Sequence, residues 1–213
     1  MKKSMSILML ALLTISSADA QNFEVGVNAG TIYNPPLSNN AAIYGANKVT
    51  LSTYGISIIK NWKKWQYGLS FDYSSNNYKD KLQNSPGIID YGAYVTIPAY
   101  PIIFYDWFNI QAQHETFKFI ANRKMSVKNF EMYLGAFVGD IECKYTARES
   151  ESYEIVDKEN LLTAGMQAGC TWYATKHIGI NAQAAGAYNF DIHDAVKGQV
   201  SYPLTFGIRY RLQ

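Results

Sequence analysis

The sequence predicts an all-β protein, a transmembrane up-and-down antiparallel β-barrel of eight strands. Several segments alternate between apolar and small or polar residues, which is the pattern of a strand with one buried face. Aromatic residues make up 15% of the chain and charged residues only 17%, whereas about 25% is usual in soluble domains. The connections between the segments are alternately short and long, as the turns and loops of such barrels are.

The first twenty residues are predicted to be a cleaved signal peptide rather than part of the fold. Two lysines follow Met1, an apolar run occupies residues 7–15, and the triplet Ala18-Asp19-Ala20 comes next. This order is typical of a secretory signal, and the run is too short for a transmembrane helix. We therefore expect residues 1–20 to be removed and residues 21–213 to form one outer membrane β-barrel domain.

Seven strands can be located from the alternation alone. The clearest lies at residues 65–73, where every odd residue is apolar or aromatic and every even one is small or polar. The same period of two closes the chain at residues 204–212. The other segments with this pattern are residues 23–30, 54–59, 130–139, 162–172 and 178–185.

The region at residues 75–121 must contain one more strand, because barrels of this kind have an even number. Residues 116–121 are expected to end that strand. Residues 94–97 and 102–107 also have an extended pattern, but Pro98 and Pro101 lack the N–H group that a strand ladder needs. Eight strands is therefore the prediction, and an additional hairpin in this region would give ten.

The predicted connections define the two ends of the barrel. Short connections fall at residues 61–64, 122–129 and 174–177, and long ones at residues 34–49, 146–160 and 189–199. This alternation is typical of tight periplasmic turns and longer extracellular loops. The short connections concentrate basic residues, namely Lys63, Lys64, Arg123, Lys124, Lys128 and Lys176.

The composition of the polar face favours a membrane barrel over a soluble one. A soluble barrel needs about a quarter or more of its surface positions charged, whereas this face consists mainly of Gly, Ser, Thr, Asn and Gln. Such residues suit a packed interior, in which glycines make room for Tyr133 and Phe137. The apolar face would then contact lipid, with aromatic girdles at its borders formed by Trp65, Tyr67, Tyr73, Trp172 and Tyr210.

Two fragments resemble the small OmpA/OmpX-like outer membrane β-barrel proteins. Residues 132–137 (MYLGAF) resemble the fifth strand of that family, and residues 204–212 (LTFGIRYRL) resemble its last strand. The resemblance extends over the mature chain and implies a Gram-negative source and recognition by the barrel-assembly machinery. The family's last strand commonly stops on an aromatic residue, whereas this chain ends Leu212-Gln213.

Charged residues on the polar face are predicted to pair inside the barrel. Closure brings the first strand against the last, which places Glu24 near Arg209 and Arg211. Lys118 and Glu131 are expected to meet across the short connection that separates them. We interpret these five residues as a salt-bridged plug, because charges removed from water need partners. The alternative interpretation is a gate or a selectivity constriction.

No pattern predicts catalysis, a cofactor or a metal site. His193 lies among carboxylates in the segment Asp191-Ile192-His193-Asp194, but a general base also needs a nucleophile within reach, and no spacing identifies one. Cys143 and Cys170 are expected on adjacent strands but far apart along them, and therefore unbridged. The net charge of +2 produces no field that would attract nucleic acid.

The expected function is a structural or interaction role in the outer membrane. We expect a monomer that contacts membrane lipids and lipopolysaccharide and exposes its loops outside the cell. A narrow pore for small solutes is the first alternative. A barrel-embedded lipid-modifying enzyme and a soluble lipocalin-like carrier are the alternatives from other classes.

Overall fold

The computed structural model describes residues 23–35, 50–83, 105–150, 153–191 and 194–212. Each strand pairs antiparallel with the next, and β8 also pairs with β1, so the sheet closes into an up-and-down barrel. The fold class and the count of eight are confirmed, and the alternative of ten strands is wrong. The strands are β1 Phe23–Tyr33, β2 Thr50–Trp62, β3 Trp65–Gln83, β4 Tyr105–Val127, β5 Phe130–Ser150, β6 Tyr153–Tyr173, β7 Ile178–Asp191 and β8 Asp194–Arg211.

Several predictions fall on other parts of the chain. The signal peptide at residues 1–20, the extended pattern at residues 94–97 and residues 36–49 of the predicted first long connection lie outside the described residues. None of the described residues belongs to a helix long and apolar enough to cross a membrane.

Side chains alternate between the bore and the outer surface along every strand, as the period of two predicts. In β5, Met132 and Leu134 point outward and are 42% and 58% exposed, while Tyr133 and Phe137 point into the bore and are each 4% exposed. The packed core of the molecule therefore lies inside the barrel.

The strands β3 to β6 are much longer than the sequence pattern predicted. They contain 19, 23, 21 and 21 residues, against 11 and 13 for β1 and β2. The long connections predicted at residues 146–160 and 189–199 are wrong, because paired strands occupy nearly all of both ranges. In β5 the two faces exchange character beyond Gly139, because Ile141, Cys143 and Tyr145 are buried in the bore while Asp140 and Glu142 are exposed outside. The pattern of a strand with an apolar outer face is lost, although backbone pairing still satisfies the N–H and C=O groups.

The short connection predicted at residues 122–129 is also wrong in extent. β4 continues to Val127, and the chain reverses in the two residues Lys128 and Asn129. Lys128 has φ 54 and Lys63, at the same place in the β2–β3 turn, has φ 52, which is the backbone shape of tight hairpin turns. Arg123 and Lys124 are therefore strand residues, not turn residues.

Glycines leave room for the large aromatic residues of the bore. A Cβ atom added at Gly169 would lie 2.3 Å from the Tyr133 hydroxyl oxygen, and one added at Gly165 would lie 2.7 Å from Phe137 Cζ. Both distances are shorter than a van der Waals contact between the atoms, so the predicted pairing of glycines with inward aromatics is confirmed at these two positions.

We predict that Gly169→Ala lowers the free energy of unfolding by about 1–3 kcal/mol, because the new methyl group displaces the Tyr133 hydroxyl. Gly186→Ala is the matched control, since a Cβ atom there would meet nothing within 4 Å. Urea unfolding in phospholipid vesicles measures both variants. Equal stability of the two would contradict the packing described for the bore.

Candidate functional site

The most concentrated set of charges lies in the bore at the end with the short turns. Glu24, on β1, is fully buried. Arg211, on β8, donates to Glu24 Oε1 from Nε at 3.0 Å and from Nη2 at 2.7 Å. The Tyr173 hydroxyl donates to the same oxygen at 2.7 Å. Glu24 and Arg211 are register partners where the barrel closes, so strand pairing itself brings these charges together.

The ion pair extends across the bore. Arg211 Nη2 also donates to Glu131 Oε1 at 2.7 Å. Because Glu131 is on β5 and the sheet closes in the order β1 to β8, β5 lies on the far side of the barrel from β1. One guanidinium group therefore bridges carboxylates from opposite walls, and charge-assisted bonds of this kind are stronger than neutral ones.

A second arginine lies one inward position deeper. Arg209 Nη1 is 3.8 Å from Glu24 Oε2, and Arg209 Nη2 donates to the Tyr133 hydroxyl at 3.0 Å. Its guanidinium carbon lies 4.7 Å from the centre of the Tyr133 ring, and that of Arg211 lies 4.1 Å from the centre of the Tyr173 ring. Stacking on aromatic faces compensates part of the lost hydration of each cation.

The ionic chain continues to the strands β4, β2 and β3. Lys124 Nζ is 3.7 Å from Glu131 Oε2 and donates to Asn61 Oδ1 at 2.8 Å. Gln66 Nε2 donates to the same Asn61 oxygen at 3.2 Å. Charged, amide and tyrosine side chains from β1, β2, β3, β4, β5, β6 and β8 thus join in one connected network.

Amide side chains form a second layer above the ions. Gln183 Nε2 donates to Gln167 Oε1 at 3.2 Å, and Gln167 Nε2 donates to Asn122 Oδ1 at 2.9 Å. Asn122 Nδ2 then donates to Gln66 Oε1 at 3.4 Å. The Tyr133 hydroxyl is 3.0 Å from Gln183 Oε1, so this layer is continuous with the ionic one. We call the two layers together the polar network.

The predicted pairing of Lys118 with Glu131 is wrong. Lys118 lies opposite Gly139, whereas Glu131 lies opposite Ser126. The turn at Lys128-Asn129 is shorter than the predicted connection and lies nearer to Glu131, which shifts every partner across the hairpin. Lys118 Nζ instead contacts Asp72 Oδ2 at 2.5 Å, in a separate ion pair higher in the bore.

The structure thus brings together Glu24, Arg209, Arg211 and Glu131, and leaves Lys118 apart. Lys124 was not predicted to belong to this set, because the sequence pattern placed it in a turn. The buried Tyr173 and the amide layer were not predicted either. The alternation in β6 and β7 does assign these residues to the bore. It does not show which uncharged polar side chains in the bore hydrogen-bond to one another.

Little open space remains in the bore beside and above the polar network. The cavity there has a volume of about 50 Å³, and its lining includes Gln167, the Asp72–Lys118 pair and His114, which is room for only a few water molecules. Still higher, His114 Nε2 lies 2.7 Å from the Tyr145 hydroxyl oxygen, and the Ser74 hydroxyl donates to Thr53 Oγ1 at 2.9 Å.

The described residues contain no group of three or more His, Cys, Asp or Glu side chains arranged to hold a metal ion. His193, which was considered as a general base, lies outside the described residues, between the end of β7 at Asp191 and the start of β8 at Asp194. Cys143 and Cys170 are both free, as predicted. Cys143 is buried in the bore, whereas Cys170 points outward.

The outer surface carries a continuous apolar band next to the short turns. Its outward side chains are almost all aliphatic, aromatic or small, and only Thr31, Lys60 and Arg123 are exceptions. Farther from the turns the outward residues become polar or charged, as at Glu115, Asp140 and Lys158. The apolar band comprises the outward residues of 23–33, 54–62, 65–73, 117–127, 130–138, 162–172, 178–190 and 200–210.

Aromatic side chains occur at both borders of this band. Of the predicted girdle residues, Trp65, Trp172 and Tyr210 lie at the turn border, Tyr67 lies one outward position inside it, and Tyr73 lies at the opposite border. All five are exposed. Further aromatic residues that were not predicted lie on the outer face at the same borders, namely Tyr33, Tyr54, Trp62, Phe130, Tyr188 and Tyr202.

No protein-family model and no curated protein matches the chain. Among solved structures, Neisserial surface protein A matches with a TM-score of 0.51 at 12% identity, over 89% of this chain and 97% of its own. Ail, the attachment invasion locus protein of Yersinia pestis, in complex with the heparin analogue sucrose octasulfate, gives a TM-score of 0.49 at 10% identity, over 89% and 98% of the two chains. The match to Neisserial surface protein A shows a shared barrel fold.

We predict that Glu24→Gln lowers the free energy of unfolding by about 3–5 kcal/mol, because it leaves the buried Arg209 without its carboxylate partner and Arg211 with Glu131 alone. Glu115→Gln, on the outer surface of β4, is the control and should change stability by less than about 0.5 kcal/mol. Guanidinium unfolding in vesicles measures both.

A double variant tests whether Glu24 and Arg211 stabilise the barrel through their direct interaction. Combining Glu24→Gln with Arg211→Gln should recover part of the loss, because the pair interacts directly. If Glu24→Gln and the double variant lose no more stability than the control does, the charges in the polar network do not depend on one another.

Proposed function

We propose that the chain is an integral outer membrane protein with a structural or interaction role, similar in kind to the OmpA/OmpX-like proteins that its fragments resemble. The apolar band carries this proposal. Its segment at residues 130–138 has the length of about 9–11 residues that a tilted strand needs to cross the hydrocarbon core. Aromatics at both borders match the girdles of membrane barrels.

The arrangement of faces supports a membrane protein over a soluble carrier. A lipocalin-like barrel encloses an apolar cavity and presents charges to water. Here the bore holds the ion pairs and amides, and large apolar side chains such as Val27 and Ile208 are 60% exposed on the outside. An apolar band that surrounds the barrel is stable in lipid and unstable in water.

The interaction role is supported by the strands that extend beyond the apolar band. The pairing of β2 with β3 ends at Ser52 opposite Ser75, yet β3 continues with β4 to Gln83. The pairing of β6 with β7 begins at Leu162, yet β6 starts at Tyr153. The upper parts of β3, β4, β5 and β6 therefore form a sheet that projects past the rest of the barrel. We call it the projecting sheet.

The projecting sheet has two open edges within the described part of the chain. β3 beyond Ser75 and β6 before Leu162 pair on one side only. Such edges present backbone N–H and C=O groups, to which an extended segment of another protein can add as a strand. This is the physical basis for partner contact outside the cell in our proposal.

The polar network weighs against the alternative of a narrow pore. Arg211 joins Glu24 to Glu131 across the bore, and a charged group or solute that entered would have to break these bonds in a medium with little water. The interiors of eight-stranded barrels are in general filled by side chains. We therefore assign the network a structural role, as a salt-bridged plug.

We predict that the protein sediments with the outer membrane and migrates on a gel differently when it is unheated than when it is boiled, because a closed barrel resists detergent at room temperature. Membrane fractionation followed by paired heated and unheated samples measures both properties. Recovery in the soluble periplasm without a heat-dependent shift would contradict the proposed location.

We predict that the projecting sheet faces the outside of the cell. In a Cys143→Ala, Cys170→Ala background, Lys158→Cys on the projecting sheet should react with a membrane-impermeant maleimide on intact cells. Lys64→Cys, in the β2–β3 turn, should react only after the outer membrane is permeabilised. Both side chains are exposed, so accessibility of the residue itself does not differ. The reverse pattern of labelling would invert the proposed orientation.

A further inference from the structure

The β2–β3 turn carries two adjacent lysines between two tryptophans, in the sequence Trp62-Lys63-Lys64-Trp65. β2 ends at Trp62 and β3 begins at Trp65, so the two lysines make up the whole turn. Trp62 and Trp65 are register partners, and both are exposed on the outer surface. The turn therefore places two cations directly beside a pair of outward indole rings.

Neither lysine of this turn is paired with an acidic side chain. Lys63 Nζ lies 5.4 Å from the centre of the Trp62 ring, which places this ammonium group beside an outward ring at the turn border of the apolar band. Lys64 is exposed. Neither residue forms an ion pair with any described residue. Glu24 and Glu131, at the same end of the barrel, are inside the bore and are bound by arginine. Both positive charges of the turn are thus available to a partner outside the protein.

The other two turns at this end also contain lysine but lack this arrangement. The β4–β5 turn consists of Lys128 and Asn129, and the β6–β7 turn contains Lys176 within residues 174–177. Both lysines are exposed. Neither has a second lysine next to it in the chain, and neither turn is bordered by tryptophan on both sides. The paired cations and indoles occur together at one of the three turns, and the other two supply matched controls.

At a membrane interface, this combination of residues matches the chemistry of a phospholipid. Indole rings are enriched at the level of the headgroups, where the ring meets apolar chains and its N–H group is hydrated. Each lysine near the surface adds to the attraction for anionic headgroups. Two lysines adjacent in the chain can reach one phosphate group, because their Cα atoms are about 3.8 Å apart. A zwitterionic lipid is attracted less, because its own cation lies beside the phosphate.

We propose that the β2–β3 turn binds the phosphate group of an anionic phospholipid between Lys63 and Lys64, with Trp62 and Trp65 beside the glycerol and the first part of the acyl chains. The inference rests on the proposed membrane location. The lipid belongs to the leaflet at the short-turn end, on the periplasmic side in the proposed orientation. The polar network takes no part, because its side chains point into the bore.

The test is tryptophan fluorescence of the whole barrel in vesicles that contain equal amounts of phosphatidylglycerol and phosphatidylcholine. In a Trp107→Phe, Trp172→Phe background, Trp62 and Trp65 are the remaining tryptophans. One of the two lipids carries bromine on its acyl chains in each experiment, and bromine quenches the fluorescence of a tryptophan that it contacts. Brominated phosphatidylglycerol should quench the fluorescence more strongly than brominated phosphatidylcholine does.

Substitutions in the three turns test which lysines are responsible. Lys63→Gln and Lys64→Gln should each lower the preference for phosphatidylglycerol by about fivefold, which corresponds to the contribution of one cation near an anionic surface. Lys63→Arg and Lys64→Arg keep the charge and should keep the preference. Lys128→Gln and Lys176→Gln remove one charge from the other turns and should leave the preference nearly unchanged, because salt screens exposed charges on separate turns.

Equal quenching by the two brominated lipids would overturn the proposal. An equal loss of preference in all four glutamine variants would also overturn it, because the whole rim rather than this turn would then attract the lipid. Inorganic phosphate in the buffer should not change the quenching, and displacement of the lipid by phosphate would contradict a lipid site.

Each protein is first checked for a heat-dependent gel shift in vesicles. A barrel that inserts but shows no lipid preference contradicts only the lipid site. A barrel that fails to insert contradicts the proposed membrane location as well.

Discussion

The pairing of β1 with β8 is the contact on which the rest of the structure depends. Ten register pairs, from Glu24 opposite Arg211 to Tyr33 opposite Tyr202, close the sheet. Without them, both strands would expose unpaired N–H and C=O groups, which a bilayer cannot satisfy. The same pairing places the buried carboxylate of Glu24 beside the guanidinium group of Arg211, so the contact that closes the sheet also pairs these two charges in the bore.

Closure also determines what the bore can contain. Burying a lone charge is costly, whereas a charge with several hydrogen-bonding partners is tolerated. Arg211 reaches both Glu24 and Glu131, and the amide layer surrounds them with further donors and acceptors. Most polar side chains of the network therefore form their hydrogen bonds or ion pairs with a side chain on a different strand. Such mutual dependence favours a single arrangement of the walls.

The sequence was sufficient to predict the faces of the strands and the closing ion pair. Period two assigns Glu24 and Arg211 to the bore, and they come from the ends of the chain that closure must join, so their meeting needs no knowledge of turn lengths. The partner of Lys118 could not be predicted in the same way, because it depends on where the β4–β5 hairpin turns. Moving the centre of a hairpin by one residue along the chain changes the residue opposite each position by two. The extension of β5 was missed because its pattern reverses: Ile141 and Cys143 lie in the bore while Asp140 and Glu142 lie outside, so the strand no longer shows an apolar outer face.

The central claim is that the apolar outer surface and the polar bore belong to one barrel closed in this register. Cysteine cross-linking tests it directly, because Val27 lies opposite Ile208 and opposed strand residues have Cα separations of about 4.5–5.5 Å, within the range of a disulfide. In a background without the native cysteines, Val27→Cys with Ile208→Cys should form a bridge in membranes, and Val27→Cys with Leu204→Cys should not. Bridging of the Leu204 pair instead, or of neither pair, would contradict the closure described here.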